Sequence, residues 1–248
     1  AWFNAADYRS GRLFDMERLG RECAKRSIPI GLDLAHTAGA VPHQLHDWGI
    51  DCATWCTYKY LNGGPGSVGA LFVHRRHHGV TPGLAGWWGH DKSSQFDMAP
   101  VFSPAMSAGA WQVGTPSVLG AASLYGSVAV ANEAGIDRVR AKSLALTGLL
   151  LDLVDARLSS LGFSSPTPRD PARRGGHVAV THPEAAGIVQ ALKARGVVPD
   201  FRPPNIVRLA PVAFYTRFVD VWDAVEILAE IATTQSHRGF ANHRGVVA

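Results

Sequence analysis

Cysteine is scarce in this 248-residue chain: Cys23, Cys52 and Cys56 are the whole supply. Three thiols, two of them in one apolar run, exclude a disulfide framework and point to a reducing, cytoplasmic setting. No stretch of about 18 apolar residues runs free of Gly, Pro or charge, which excludes a membrane-spanning helix. The 24 basic residues, set against 20 acidic ones, are scattered singly, so the cationic stripe of a nucleic-acid binder is missing. The low apolar content and large net charge of a disordered chain are missing too, since 46% of residues are hydrophobic and the formal charge is +4. Such a chain is long enough for one large domain or two modest ones. Only five lysines occur, at positions 25, 59, 92, 142 and 193, so the setting of each is informative. The chain opens on Ala-Trp-Phe, with neither an initiator Met nor a signal-peptide pattern, and is expected to start within a longer sequence.

Periodicity places the elements. After a turn at residues 8–12, Asp15 is positioned to cap a helix with Met16, Leu19 and Cys23 on one face. Apolar runs at 28–34, 52–57 and 68–73 read as buried strands, the last following the Gly-rich stretch at 62–66. Residues 87–115 are loop-like, and helix resumes near 117–133. Gly135 breaks the pattern, and a long amphipathic helix follows at 137–158. Beyond it come a strand at 177–181, a helix at 184–194, short strands near 197–201 and 205–210, and a closing helix at 218–233, for which Asp220 is a candidate cap. The expected organisation is an α/β domain over residues 1–135, mostly parallel sheet with helices on both faces, and a smaller α+β domain over 136–248 with a frayed tail after Gln235.

Two segments carry the chemistry. Asp33 ends a predicted buried strand in Gly31-Leu32-Asp33-Leu34-Ala35-His36, and Lys59 follows 26 residues later, in Thr57-Tyr58-Lys59-Tyr60-Leu61-Asn62-Gly63-Gly64. In open α/β sheets ligands gather beyond the carboxyl ends of strands, so both groups are expected in one crevice. A lysine in such a pocket suits imine chemistry with a carbonyl, and an acid suits a pyridinium nitrogen, the pair expected of a pyridoxal phosphate (PLP) site. A plain buried Asp–Lys ion pair is the competing reading of the same spacing. The run His74-Arg75-Arg76-His77-His78 is rejected as a metal site, because arginines repel a cation and no carboxylate is expected near it. Cys52 and Cys56 read as core thiols.

The segments Asp33-Leu-Ala-His-Thr-Ala-Gly-Ala-Val-Pro42, Cys56-Thr-Tyr-Lys-Tyr-Leu-Asn-Gly-Gly-Pro-Gly66 and Gly86-Trp-Trp-Gly-His90 closely resemble kynureninase, a fold-type-I PLP enzyme family related to the class V aminotransferases. The resemblance continues through Gly114-Thr115-Pro116, residues 142–147, and Arg208 with its downstream Pro211 and Phe214-Tyr215-Thr216. It implies a PLP fold-type-I large domain, here incomplete, and a homodimer with shared active sites. The implied reaction is hydrolysis of L-kynurenine, or a ring-substituted analogue, to anthranilate and L-alanine. Lys59 would carry the cofactor, Asp33 would pair with its pyridine nitrogen, and Tyr58 would bond its phosphate and relay a proton. His36 would lie at the cofactor edge. Trp87 and Thr115 would reach the phosphate of the neighbouring subunit, and Arg208 would clamp the substrate α-carboxylate. Relatives of the kynureninases usually have His where this chain has Tyr58, so the motif separates the resemblance from theirs. The departure is length: kynureninases are longer, and the family's N-terminal portion, with its phosphate-cradling loop, has no counterpart here. A non-catalytic half-chain is therefore one alternative. Another class V enzyme such as a desulfurase is a second, although it would need a cysteine downstream of Lys59, and the last one is Cys56.

Overall fold

A computed structural model describes residues 1–243. The chain forms two compact units that do not divide at a single point. The first comprises Ala1–Ala5 and Asp15–Glu133; the second comprises Ala6–Phe14 and the chain from Ala134 onward.

The first unit is built on a four-stranded sheet of β1 (Trp2–Asn4), β2 (Gly31–Asp33), β3 (Cys52–Cys56) and β4 (Gly69–Val73), in that order. β1, β2 and β3 run parallel, while β4 pairs antiparallel with β3. The strand expected at 28–34 is confined to three residues. Ahead of it, Ile30 N–H is taken by the Asp51 carboxylate at 2.7 Å rather than by a neighbouring strand. Helix α1 (Met16–Ala24) begins where Asp15 accepts a hydrogen bond from Arg18 N–H at 2.9 Å, which satisfies one of the free donors of the first turn. It buries Met16 and Cys23 against Ile30, Leu32, Leu34, Ile50 and Ala53, with Leu19 partly buried beside them.

Helix α2 (Val118–Ala134) belongs to this unit but buries none of its residues. Its side chains are nonetheless apolar on all sides; Leu119 and Tyr125 are each 87% exposed. β1 also lies at the sheet edge with all three residues exposed.

The second unit has the antiparallel order β5 (Val178–Thr181), β7 (Ile206–Leu209), β6 (Asp200–Arg202). Helices α3 (Ile136–Leu153), α4 (Ala185–Ala194) and α5 (Phe218–Thr234) bury Leu146, Leu150, Ile188, Leu192, Val225 and Leu228 against Val178, Val180 and Val207. The long helix expected at 137–158 ends as α-helix at Leu153 and continues as one wider turn over Val154–Leu158. Asp220 caps α5 from inside its first turn rather than as the N-cap residue: three residues beyond Arg217, its Oδ2 accepts from Arg217 N–H at 2.7 Å. The tail is not frayed at its start either. Ser236–Gly239 form a short turn in which buried His237 faces Glu184, at 3.0 Å, with one ring nitrogen and Ile231 O with the other.

Candidate active site

The Lys59 loop is a closed structure. Lys59 lies three residues past β3 and so sits in a turn rather than on the strand expected from sequence. Asn62 N–H donates to Lys59 O and Gly63 N–H to Thr57 O, both at 2.9 Å. Buried Thr57 ties the loop's two stems together: its hydroxyl bonds Val68 O and lies 2.9 Å from the Ser67 hydroxyl. These bonds take up backbone groups that would otherwise need water, and so fix the turn that presents Tyr58 and Lys59.

The segment after Asp33 is held in a similar way. Leu34 N–H donates to Thr54 O at 2.8 Å, extending the β2–β3 pairing to the point where the carboxylate emerges. The Asp33 carboxylate accepts from Ala35 N–H at 2.8 Å. Fully buried Thr37 then bonds back to Leu34 O and meets His43 Nε2 at 3.0 Å. Burial pushes the His43 imidazole down to about 4, which keeps it neutral in this contact. Sequence reasoning missed this supporting histidine; its only signal is its place directly after the Asp33–Pro42 segment, six residues beyond Thr37.

Gly39 brings the two segments together. It has φ +84°, and a Cβ there would lie 2.9 Å from both Leu61 N and Tyr60 C. Only a residue without a side chain lets the Asp33 segment lie against the Lys59 loop backbone. Asp33 and Lys59 do not neutralise each other, because among the described residues neither takes part in an ion pair. The buried-pair reading of their spacing therefore does not describe this fold. Lys59 Nζ instead lies 5.7 Å from the Tyr58 ring centroid. Tyr58 is 53% exposed, and its hydrogen bond with the Cys56 thiol pushes the phenol upward, so the hydroxyl keeps its proton. Cys52 and Cys56 are half-buried on β3 rather than core thiols.

The remaining predicted residues lie apart from this pair in sequence. His36 is half-buried three residues after Asp33. Trp87 opens a short turn, packs edge-on to Phe96 at 5.2 Å and stays 46% exposed; Thr115 is exposed in the loop before α2. Arg208 belongs to the second unit, where it donates to Asp200 and to Tyr8 O. The histidine–arginine run does have a carboxylate nearby, contrary to expectation. Asp51 accepts from the Arg76 guanidinium and faces His77 Nε2 at 2.5 Å. Burial alone would raise the Asp51 carboxyl, but these bonds and the Ile30 N–H hold it below its usual range. No group of three or more metal-ligating side chains occurs among the described residues, and no helix among them is long and apolar enough to cross a membrane.

Comparison with known proteins joins these features. Residues 139–228 match the family model of the kynureninase C-terminal domain. Over 241 residues the chain is 51% identical to the kynureninase of Geobacillus thermodenitrificans and 50% identical to that of Shouchella clausii, covering 97% of this chain and 56% of each relative. The chain thus spans little more than half the length of these relatives. Among solved structures, a cystine C-S lyase, C-DES, in complex with its product cysteine persulfide, superposes with a TM-score of 0.80 at 17% identity, covering 92% of this chain and 60% of that one. The cysteine desulfurase CsdA of Escherichia coli gives 0.75 at 20% identity, covering 94% and 59%. At such identities the likeness establishes the PLP fold-type-I architecture and nothing finer.

Proposed function

From kinship with the kynureninases along almost its whole length, we propose that this chain is the carboxyl-terminal part of a PLP-dependent hydrolase that cleaves a carbon–carbon bond of L-kynurenine or a ring-substituted analogue, releasing anthranilate and L-alanine. One observation carries the reading beyond sequence likeness. Asp33 and the Tyr58–Lys59 pair stand beyond the carboxyl ends of adjacent parallel strands, without neutralising one another, in segments that Gly39 packs together.

These residues fit the cofactor. A carboxylate holding only one backbone N–H is available to keep a pyridine nitrogen protonated, and an amine outside any ion pair is available to bond an aldehyde. When bound, PLP supplies an electron sink for negative charge developing beside the substrate amino group. Lys59 anchors it and then, as a free amine, moves the proton at the substrate α-carbon. Tyr58, kept protonated beside Cys56, donates to the phosphate and hands on a proton as water adds to the γ-carbonyl. Asp33 orients the ring, His36 lines its edge, and Arg208 takes the α-carboxylate in a two-pronged grip that Lys cannot reproduce. Trp87 and Thr115, exposed on the first unit, reach the phosphate held by a second copy, so the working form is a cytoplasmic homodimer.

The test is anthranilate release from L-kynurenine, followed by its fluorescence, in the PLP-loaded protein comprising this chain and the remaining length its relatives possess. Release that is lost in Lys59→Ala supports the reading. A folded, PLP-loaded protein that leaves kynurenine intact, or turnover that survives Lys59→Ala, overturns it.

A further inference from the structure

Asp200 and Arg208 stand directly opposite each other in the β6–β7 register. Asp200 Oδ2 accepts from Arg208 Nη2 and also from Arg202 Nη2, the latter at 2.5 Å. A second anchor holds the other side of the Arg208 fork, since Nη1 donates to Tyr8 O at 2.7 Å. That carbonyl is itself rigidly placed. The Asp7 carboxylate accepts from Arg9 N–H, Ser10 N–H and the Ser10 hydroxyl, and Gly11 N–H donates to Asp7 O at 2.9 Å. Gly11 has φ +76°, and a Cβ there would lie 2.5 Å from His177 O, so the turn is seated closely on the second unit. The Arg202 guanidinium lies 5.9 Å from the Tyr8 ring centroid, closing the cluster.

Arg208 is only 12% exposed, whereas Asp200 is 43% exposed. A pair so open on its acidic side adds little to stability, and its effect lies in direction. Two guanidinium groups share one carboxylate, so its removal leaves two like charges side by side and takes one anchor from the Arg208 fork. An arginine must otherwise give up considerable rotamer freedom to grip a ligand, and prior anchoring removes that cost from the binding step.

We propose that Asp200 is the positioning residue for Arg208: together with the Tyr8 carbonyl it sets the plane of the guanidinium before the substrate α-carboxylate arrives. This rests on the reading that Arg208 binds that carboxylate.

The experiment is steady-state kinetics on L-kynurenine with the PLP-loaded complete protein. Asp200→Asn should raise KM roughly three- to tenfold with little change in kcat, because only pre-orientation is lost. Asp200→Glu, which keeps the charge, should recover part of the loss; if Asp200→Asn fails to fold, a raised KM at unchanged kcat in Asp200→Glu carries the test. In an Arg208→Gln background, adding Asp200→Asn should raise KM no further. A folded Asp200→Asn protein with the parental KM, or an effect that adds in full to Arg208→Gln, overturns the proposal. Parental KM in Arg208→Gln itself overturns the underlying reading instead.

Discussion

Thr57 and Ser67 meet hydroxyl to hydroxyl at 2.9 Å, and the loop they close contains both Tyr58 and Lys59. A single buried threonine thus governs the placement of the two residues proposed to handle protons. Thr57→Val keeps the shape and removes the hydroxyl, leaving Val68 O without its partner. The expected loss is about 1–2 kcal/mol of stability, read from denaturant unfolding, together with weaker PLP binding. Unchanged stability and affinity would show that the loop is held elsewhere.

Lys59 is the one lysine of the five placed in the closed loop beyond β3. Borohydride treatment of the PLP-loaded protein should therefore fix the cofactor to Lys59, as read by peptide mass mapping. Label on Lys25, Lys92, Lys142 or Lys193 would sink the assignment.

Arg208→Lys keeps the charge and removes the fork. It should weaken kynurenine binding by about 2–3 kcal/mol, seen chiefly in KM, since an ammonium cannot make two parallel bonds to a carboxylate. Kinetics indistinguishable from the parent would place carboxylate recognition on another residue.

His43 gives the first unit a pH dependence of known direction. Its folded value of about 4 lies below the ordinary 6.5, so between these values the unfolded chain binds the proton and the folded chain does not. Stability should therefore be full above pH 6.5, decline as pH falls toward 4, and level off below that as far as this group is concerned. The lowered Asp51 carboxyl acts in a more acidic window, its contribution being lost only as pH drops below the ordinary carboxylate range. His43→Gln should flatten the decline between pH 6.5 and 4 in denaturation midpoints. An equal slope in that variant would assign the dependence to other groups.

The 248-residue chain by itself should bind PLP weakly, cleave no measurable kynurenine and aggregate. No residue of its largely apolar helix α2 is fully buried, and β1 offers an unpaired edge. Light scattering and a kynurenine assay check this directly. A monodisperse, active preparation would show that the chain completes its own phosphate site.

Much of the fold was legible because its signals are local. Asp15 as a cap, the apolar stripes of α1, α3 and α5, and the short strands around Asp33 and Cys52 follow from spacing alone. The candidate site was legible in part, because Asp33 ends one short apolar run and Lys59 follows the next by three residues. What spacing could not supply were contacts between residues distant in sequence. The meeting of Arg76 and His77 with Asp51, the seat of His237 on Glu184, and the hold of the Tyr8 carbonyl on Arg208 span 25 to 26, 53 and 200 positions. The exposure of α2 was equally hidden, since an apolar helix reads from sequence as a buried one.

The division of the chain at its start also bears on the order of assembly during synthesis. Ala6–Phe14 leave the ribosome well ahead of the groups that receive them, since Thr167, Arg173, His177 and Arg208 emerge more than 150 residues later. At elongation rates of roughly 5–20 residues per second, the turn that presents the Tyr8 carbonyl waits on the order of ten seconds for its seat. The second unit therefore cannot finish folding as an isolated tail. This early segment of the second unit is among the last of its parts to be locked in place.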